Sequence, residues 1–144
     1  MAVKVSTGLR NALLDSSSLK DILDGGFLDI YSGTIPATAD DALTGATLLC
    51  RVSNGGSGLT FDTSAVGGVL SKNPSEVWQG LNTASGVASF FRFVTAADTG
   101  AASDTEPRIQ GTVAVLGADL NISNTSLTVS APQAIQFFYV ALPG

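Results

Sequence analysis

Hydrophobic and polar positions change rhythm once along this chain, close to residue 25. Before that point, Leu9, Leu13 and Leu14, and then Leu19, Ile22 and Leu23, recur at the three- and four-residue spacings of helix faces. The two apolar sets do not share one stripe at a period of 3.6, and Ser16, Ser17 and Ser18 fall at the slip. The pattern predicts two short helices with a break between them. Thr7 is the expected cap of the first. Ser18, with Asp21 three residues on, forms a capping box for the second, and Gly25-Gly26 stops it. Ahead of the first cap, Val3, Lys4 and Val5 alternate. The stretch Ala2 to Ser6 is therefore expected to act as an extended arm that adds to a neighbour's sheet edge or lies on a partner protein, with Val3 and Val5 in contact.

After Gly26 the period becomes two and stays there. Strands are predicted over residues 27–31 and 46–53, followed by the turn signal N-G-G-S-G at 54–58, with 59–61 pairing back across it. Further pieces fall at 69–70 and 77–78, around the Asn73-Pro74 turn. Residues 87–95 make the longest strand of the middle region, and 96–107 is small, polar and loop-like. Residues 108–116 alternate well, 120–122 and 127–129 flank an S-N-T turn, and 134–142 is the last strand. Eight or so short strands with closely spaced turns predict a mainly β fold, an antiparallel jelly-roll-like β-sandwich with a short N-terminal helical segment. With no repeat or linker in view, one domain is expected over 1–144. It divides into an arm and helices at 1–25 and the sandwich at 26–144.

Two stretches concentrate the aromatic residues: S-F-F-R-F-V at 89–94 and I-Q-F-F-Y-V at 135–140 hold five of the seven Phe. In an extended strand Phe91 and Phe93 face one way, and Phe90, Arg92 and Val94 the other. Likewise Ile135, Phe137 and Tyr139 oppose Phe138, Val140 and Leu142. A small antiparallel sheet ordinarily keeps one face wet, so a second apolar face needs a cover. The two short helices can hide only a few residues, which points to an additional protein surface. Phe90, Arg92 and Phe138 are accordingly expected at an interface, where aromatics and Arg concentrate; Arg92 reads equally as a side chain whose stem packs on its aromatic neighbours while its head stays in water.

Composition sharpens this. Only 13% of residues are charged while 44% are hydrophobic, below the usual quarter charged, which leaves neutral, mildly apolar surface for another chain. No apolar run is long enough to span a bilayer. The net charge of −5 and seven scattered Lys and Arg argue against a nucleic-acid backbone as partner, so any role near DNA would be indirect. The one cysteine, Cys50, cannot form an intrachain disulfide and is expected to be a small buried hydrophobe. The first residues contain no apolar stretch of signal-peptide length, so folding in a reducing cytoplasm is expected.

Chemistry is notable for what is missing. The chain has no histidine, which removes His-based nucleophile arrangements and His-containing zinc sites. No phosphate-cradling glycine motif is present. The acidic groups Asp40-Asp41 and Asp98, Asp104, Glu106 are read as solvated loops in preference to a carboxylate pair of a hydrolase, and the 98–106 spacing does not match a calcium loop. Trp78 is expected in the core or an interface, with a sugar-lining role as the rival. The Asn121 and Asn124 sequons mark only a polar, turn-like segment. No catalytic residue, cofactor or metal is expected.

One resemblance joins these features. The helical start is followed by D-G-G-F-L-D-I-Y-S-G-T-I-P-A-T-A-D-D-A-L-T-G-A-T-L-L and the G-V-A-S-F-F-R-F-V strand. Then come G-A-D-L-N-I-S and a closing strand ending in A-L-P-G. In this order of features the chain resembles small virion structural proteins of tailed bacteriophages, the head decoration or cement proteins. The resemblance implies a jelly-roll-like sandwich, homo-oligomeric on the outer capsid and bound to the major capsid protein. It also implies assembly in the host cytoplasm, with neither nucleic acid nor membrane as partner. It carries over no catalytic residues. The alternatives are a minor tail or neck protein and, from another class, a jelly-roll carbohydrate-binding module.

Overall fold

The computed structural model describes residues 3–141. Its elements run β1 (Lys4–Val5), α1 (Thr7–Asp15), α2 (Leu19–Leu23), β2 (Phe27–Gly33), β3 (Ala46–Val52), β4 (Val69–Ser71) and β5 (Trp78–Leu81). They continue with β6 (Gly86–Val87), β7 (Phe90–Val94), β8 (Arg108–Ala114), β9 (Leu120–Asn121), β10 (Ser126–Leu127), β11 (Pro132–Ile135) and β12 (Tyr139–Ala141). The protein is mainly β, and its strands pair antiparallel except for the parallel β8–β9 pair.

The helical start follows from its serines. Ser6, one residue before the expected cap, accepts the Leu9 amide at 3.1 Å, and Ser18 accepts the Asp21 amide at 3.1 Å. Thr7 is diverted elsewhere: its amide and hydroxyl both donate to the Asp40 carboxylate, at 2.8 and 2.6 Å. The cap shifts by one residue because a loop far along the chain supplies a better partner for Thr7. Residues 3–6 do not reach toward a neighbour. Lys4 and Val5 pair with Gln110 and Ile109 of the chain's own β8, which corrects the arm expectation. Val3 and Val5 stay about one-third exposed beside that pairing, whereas Ala2 lies outside the described residues.

The largest sheet has the order β1-β8-β7-β2-β3, with β9 added to β8. Isolated bridges from Cys50 to Asn82 and from Ser53 to Gln79 join the far side of β3 to β5, and β5 pairs in turn with β11. The N-G-G-S-G stretch turns as expected: Gly55 and Gly56 hold φ of 62° and 94°, the left-handed pair that a two-residue hairpin turn requires. The hairpin closes at once, between Asn54 and Ser57, so residues 59–61 do not return along β3. Leu59 pairs instead with Gly26, and Phe61 with Lys72. The pieces at 69–70 and 77–78 likewise pair with β12 and β11 and not with each other.

One face of the largest sheet carries the aromatic core. Phe93 lies 5.3 Å from Phe61 and 5.9 Å from Phe138 between ring centroids, and Phe91 meets Phe138 edge-on at 5.6 Å. Trp78, 1% exposed, fills the side of this cluster 5.9 Å from Phe61, with its indole N–H on Glu76 at 2.9 Å. Each large side chain buried here contributes about 1.5–3 kcal/mol. The core reading of Trp78 holds, and its burial removes it from any sugar-lining role. Cys50 is fully buried among the same residues.

The final strand breaks where unbroken alternation was expected. β11 ends at Ile135 and β12 begins at Tyr139, and the intervening residues slip the register. Ile135, Phe138 and Val140 all turn inward, while Phe137 and Tyr139 turn out. Alternation would have set Ile135 with Phe137 and Tyr139. The cause is a change of partner, because β11 pairs with β5 and β12 with β4. Leu142 lies outside the described residues.

Candidate functional site

The second face of β7 was expected to await a partner, and the chain covers it itself. Phe90 and Arg92 are fully buried, and Phe138 is 4% exposed inside the core, so none of the three offers an interface. Phe90 stacks on Tyr31 at 5.1 Å. The cover consists of the loops at 34–45 and 95–107, which approach through backbone carbonyls. Arg92 donates to Gln110 at 2.9 Å, to the Asp41 carbonyl at 2.8 Å and to the Thr38 carbonyl at 3.4 Å. Arg108 donates to the carbonyls of Ala39 and Ala101 at 3.0 and 2.6 Å. It also grips Asp98 with two parallel bonds, Nε to Oδ2 at 2.6 Å and Nη2 to Oδ1 at 2.8 Å. A second forked pair joins Arg51 to Asp29, both bonds at 2.7 Å. This is a buried polar layer, with two arginines acting as pegs for two loops.

Its electrostatics follow from the geometry. Burial alone would raise the Asp98 carboxyl, but the bonds from Arg108 and the Gly100 amide, with the attraction of Arg108 and Arg92, hold it below its ordinary value. The bond to Asp98 raises Arg108 above its own. Arg92 has no carboxylate bond, and desolvation together with repulsion from Arg108 lowers it. Its Nη1 is buried without a hydrogen-bond partner. Asp40 is lowered chiefly by the Thr7 hydroxyl bond. The Asp40-Asp41 and Asp98 to Glu106 groups, read from sequence as solvated loops, are therefore partly structural. Asp98 has both oxygens on Arg108 and so is not open to a cation. Among the described residues no three His, Cys, Asp or Glu side chains are grouped to hold a metal ion, and no helix is long and apolar enough to cross a membrane.

The surface that remains open lies elsewhere, on residues that sequence reasoning did not single out as sites. Pairing of β5 with β11 sets Leu81 beside Pro132 and Gln79 beside Ala134 on the outer side of that ribbon. Val77 and Leu81 there are 61% and 63% exposed. Val87 and Val129, also exposed, belong to the segments that continue from this ribbon, where the Val129 amide donates to Ser85. No described strand pairs with the outer edge of β11. A second open feature is the pair Phe137 and Tyr139, 69% and 56% exposed, with ring centroids 6.2 Å apart and planes 13° from parallel. For the ribbon face the sequence signal was alternation, which could not say which apolar face would stay open, whereas the Phe137–Tyr139 pair was masked by the slip between β11 and β12.

Comparison with known proteins returns no matching family model, no similar curated protein and no similar solved structure.

Proposed function

We propose that this protein is a non-enzymatic structural component of a tailed-phage virion. On this reading it is a decoration protein that stabilises the outer capsid through contacts with the major coat protein and with copies of itself. The observation that carries the reading is the outer face of β5–β11, where Leu81 faces Pro132 and Gln79 faces Ala134, with the exposed Val77 just ahead of β5 and an unpaired edge on β11. Exposed apolar side chains in such an array suit a protein partner, and an open edge suits strand addition. Low charge and an acidic balance fit an outer shell surface better than a DNA-facing one. Contacts of this size are weak singly and strong when repeated across a shell. The finer description of the fold, a jelly-roll-like β-sandwich, belongs to the same proposal. It is supported by the non-consecutive strand order of the largest sheet and by the aromatic layer between that sheet and the β4–β12 side. The reading puts the protein on the capsid surface, after assembly in the host cytoplasm.

The test is mass spectrometry and labelling of gradient-purified virions from the strain that carries the coding sequence. The protein is expected in the head fraction at a fixed ratio to coat protein. The variant Val77→Glu/Leu81→Glu, folded by circular dichroism, is expected to lose most of that occupancy. Absence from the virion, or full occupancy by the folded variant, refutes the reading.

A further inference from the structure

Phe137 and Tyr139 do not belong to the apolar ribbon face, and their surroundings are of a different kind. Phe137 stands on the slipped segment after β11 and Tyr139 at the start of β12, with the buried ring of Phe138 between them as a floor. A shallow cleft opens on each side. One, of about 390 Å³, is lined by Asp119, Asn121 and the three aromatics. The other, of about 270 Å³, is lined by Asp62, Lys72, Pro74, Gln136 and the same rings. The larger of these volumes lies near the lower end of the roughly 300–1,000 Å³ range of small-ligand sites, and the smaller falls just below it. Each cleft thus pairs an exposed ring with hydrogen-bonding groups, where a protein-docking patch would continue as apolar surface.

The polar groups are held and incompletely used. Asp119 takes the Thr112 amide and hydroxyl, at 3.0 and 3.1 Å, both on Oδ2, so that Oδ1 is left as an acceptor. Asn121 accepts the Ala118 amide on its Oδ1 at 3.0 Å, which fixes the amide and leaves Nδ2 to donate. Lys72 is held over the Trp78 ring, 5.7 Å from its centroid, by bonds to the carbonyls of Asn73 and Glu76. A fixed acceptor and a fixed donor beside an aromatic face match one ligand chemistry closely. A sugar ring offers C–H groups to the aromatic face and vicinal hydroxyls that both donate and accept. The net charge of −5 disfavours an acidic polymer. Two rings with nearly parallel planes can hold successive units of one chain.

We propose that the Phe137–Tyr139 ridge is a glycan-binding site for neutral, pyranose-based oligosaccharides, with Asp119 and Asn121 taking vicinal hydroxyls on one side and Gln136 and Lys72 contacting the neighbouring unit. The site uses neither Val77 nor Leu81, although Lys72 and Gln136 also border Val77 and Ala134 of the coat-binding face. Neutral hexasaccharides of glucose, mannose and galactose serve as probes, read by saturation-transfer NMR and titration calorimetry on the full chain. At least one is expected to bind, with signal transferred from the Phe137 and Tyr139 rings. Phe137→Ala/Tyr139→Ala is expected to weaken that binding at least tenfold, and Asp119→Asn or Asn121→Ala by several fold. The exposed double variant keeps the Phe138 floor, and its melting temperature reports whether it folds. No binding of any probe, or equal binding by a folded double variant, overturns the proposal. Loss of virion occupancy in the double variant without glycan binding by the wild type also overturns it, and assigns the ridge to the coat contact. Loss of occupancy confined to Val77→Glu/Leu81→Glu leaves the two sites separate.

Discussion

Removing Asp98 tests whether the arginine pegs hold the loops down. In Asp98→Ala, Arg108 loses two charge-assisted bonds, and Arg92, already without a carboxylate bond, loses an attractive charge. Both side chains of the ion pair are 1% exposed, so water does not replace what is lost. Breaking a buried pair from one side costs about 3–5 kcal/mol, a large share of the 5–15 kcal/mol that roughly describes whole domains. At about 2–4 °C per kcal/mol for a chain near this length, the midpoint is expected to fall by roughly 6–20 °C. Thermal and urea denaturation followed by circular dichroism measure it. Adding Arg108→Met is expected to restore part of the loss, because the second change removes the uncompensated cation. The pH dependence has a fixed sign. Asp98 is held below its ordinary value of 3.8, so its contribution is present above that pH and is lost as pH falls through the folded value. The variant should therefore show a flatter fall in stability than wild type as pH drops from 5 into the acid range. A loss under about 1 kcal/mol, or single effects that simply add in the double variant, refutes the peg argument.

Other expectations follow from the packing. Phe61→Ala opens the aromatic cluster from the side opposite β7 and should cost about 3–5 kcal/mol in denaturant unfolding; a smaller loss would mean that the cluster collapses to fill the gap. Gly8 lies so close to the 95–107 loop that an added Cβ would sit 2.3 Å from the Thr105 carbonyl oxygen. Gly8→Ala is thus expected to raise hydrogen exchange in that loop and in α1 while sparing the aromatic core, and uniform destabilisation would contradict it. Cys50 is buried and its thiol is pushed up to about 11 by desolvation; it should resist thiol reagents at pH 8 until urea unfolds the chain, and fast labelling of the native protein would be incompatible with its placement.

The alternation that marked Phe91 and Phe93 against Phe90, Arg92 and Val94 was legible because β7 is regular throughout and paired on both sides. The Ser18 cap was legible because it is local. The cover of the second face was not, for a physical reason: it is made by carbonyls at Thr38, Ala39, Asp41 and Ala101, and a carbonyl is the same at every residue. Only the two buried arginines hinted at it, and Arg92 reads equally as an interface anchor. The slip between Ile135 and Phe138 depends on which strand each half pairs with, information that lies some sixty residues upstream at β4 and β5. For the same reason the exposed ridge of Phe137 and Tyr139 was hidden. Within an unbroken strand those rings would have shared a face with the buried Ile135.

The Ser6 hydroxyl donates to the Glu106 carbonyl and accepts the Arg108 amide, across separations of 100 and 102 residues. Phe138 must likewise arrive before the rings of Phe61, Phe91, Phe93 and Trp78 are closed over. Contacts that span most of a chain are slow to form, because the entropy of closing the loop is spent before the contact repays it. On the ribosome, then, the Ser6 contacts wait for residues 106 and 108, and the aromatic core waits for Phe138. The half-made protein exposes its Phe-rich strands during that interval, which is when such chains aggregate. Yield on expression should therefore be limited by the time taken to complete the fold more than by its final stability.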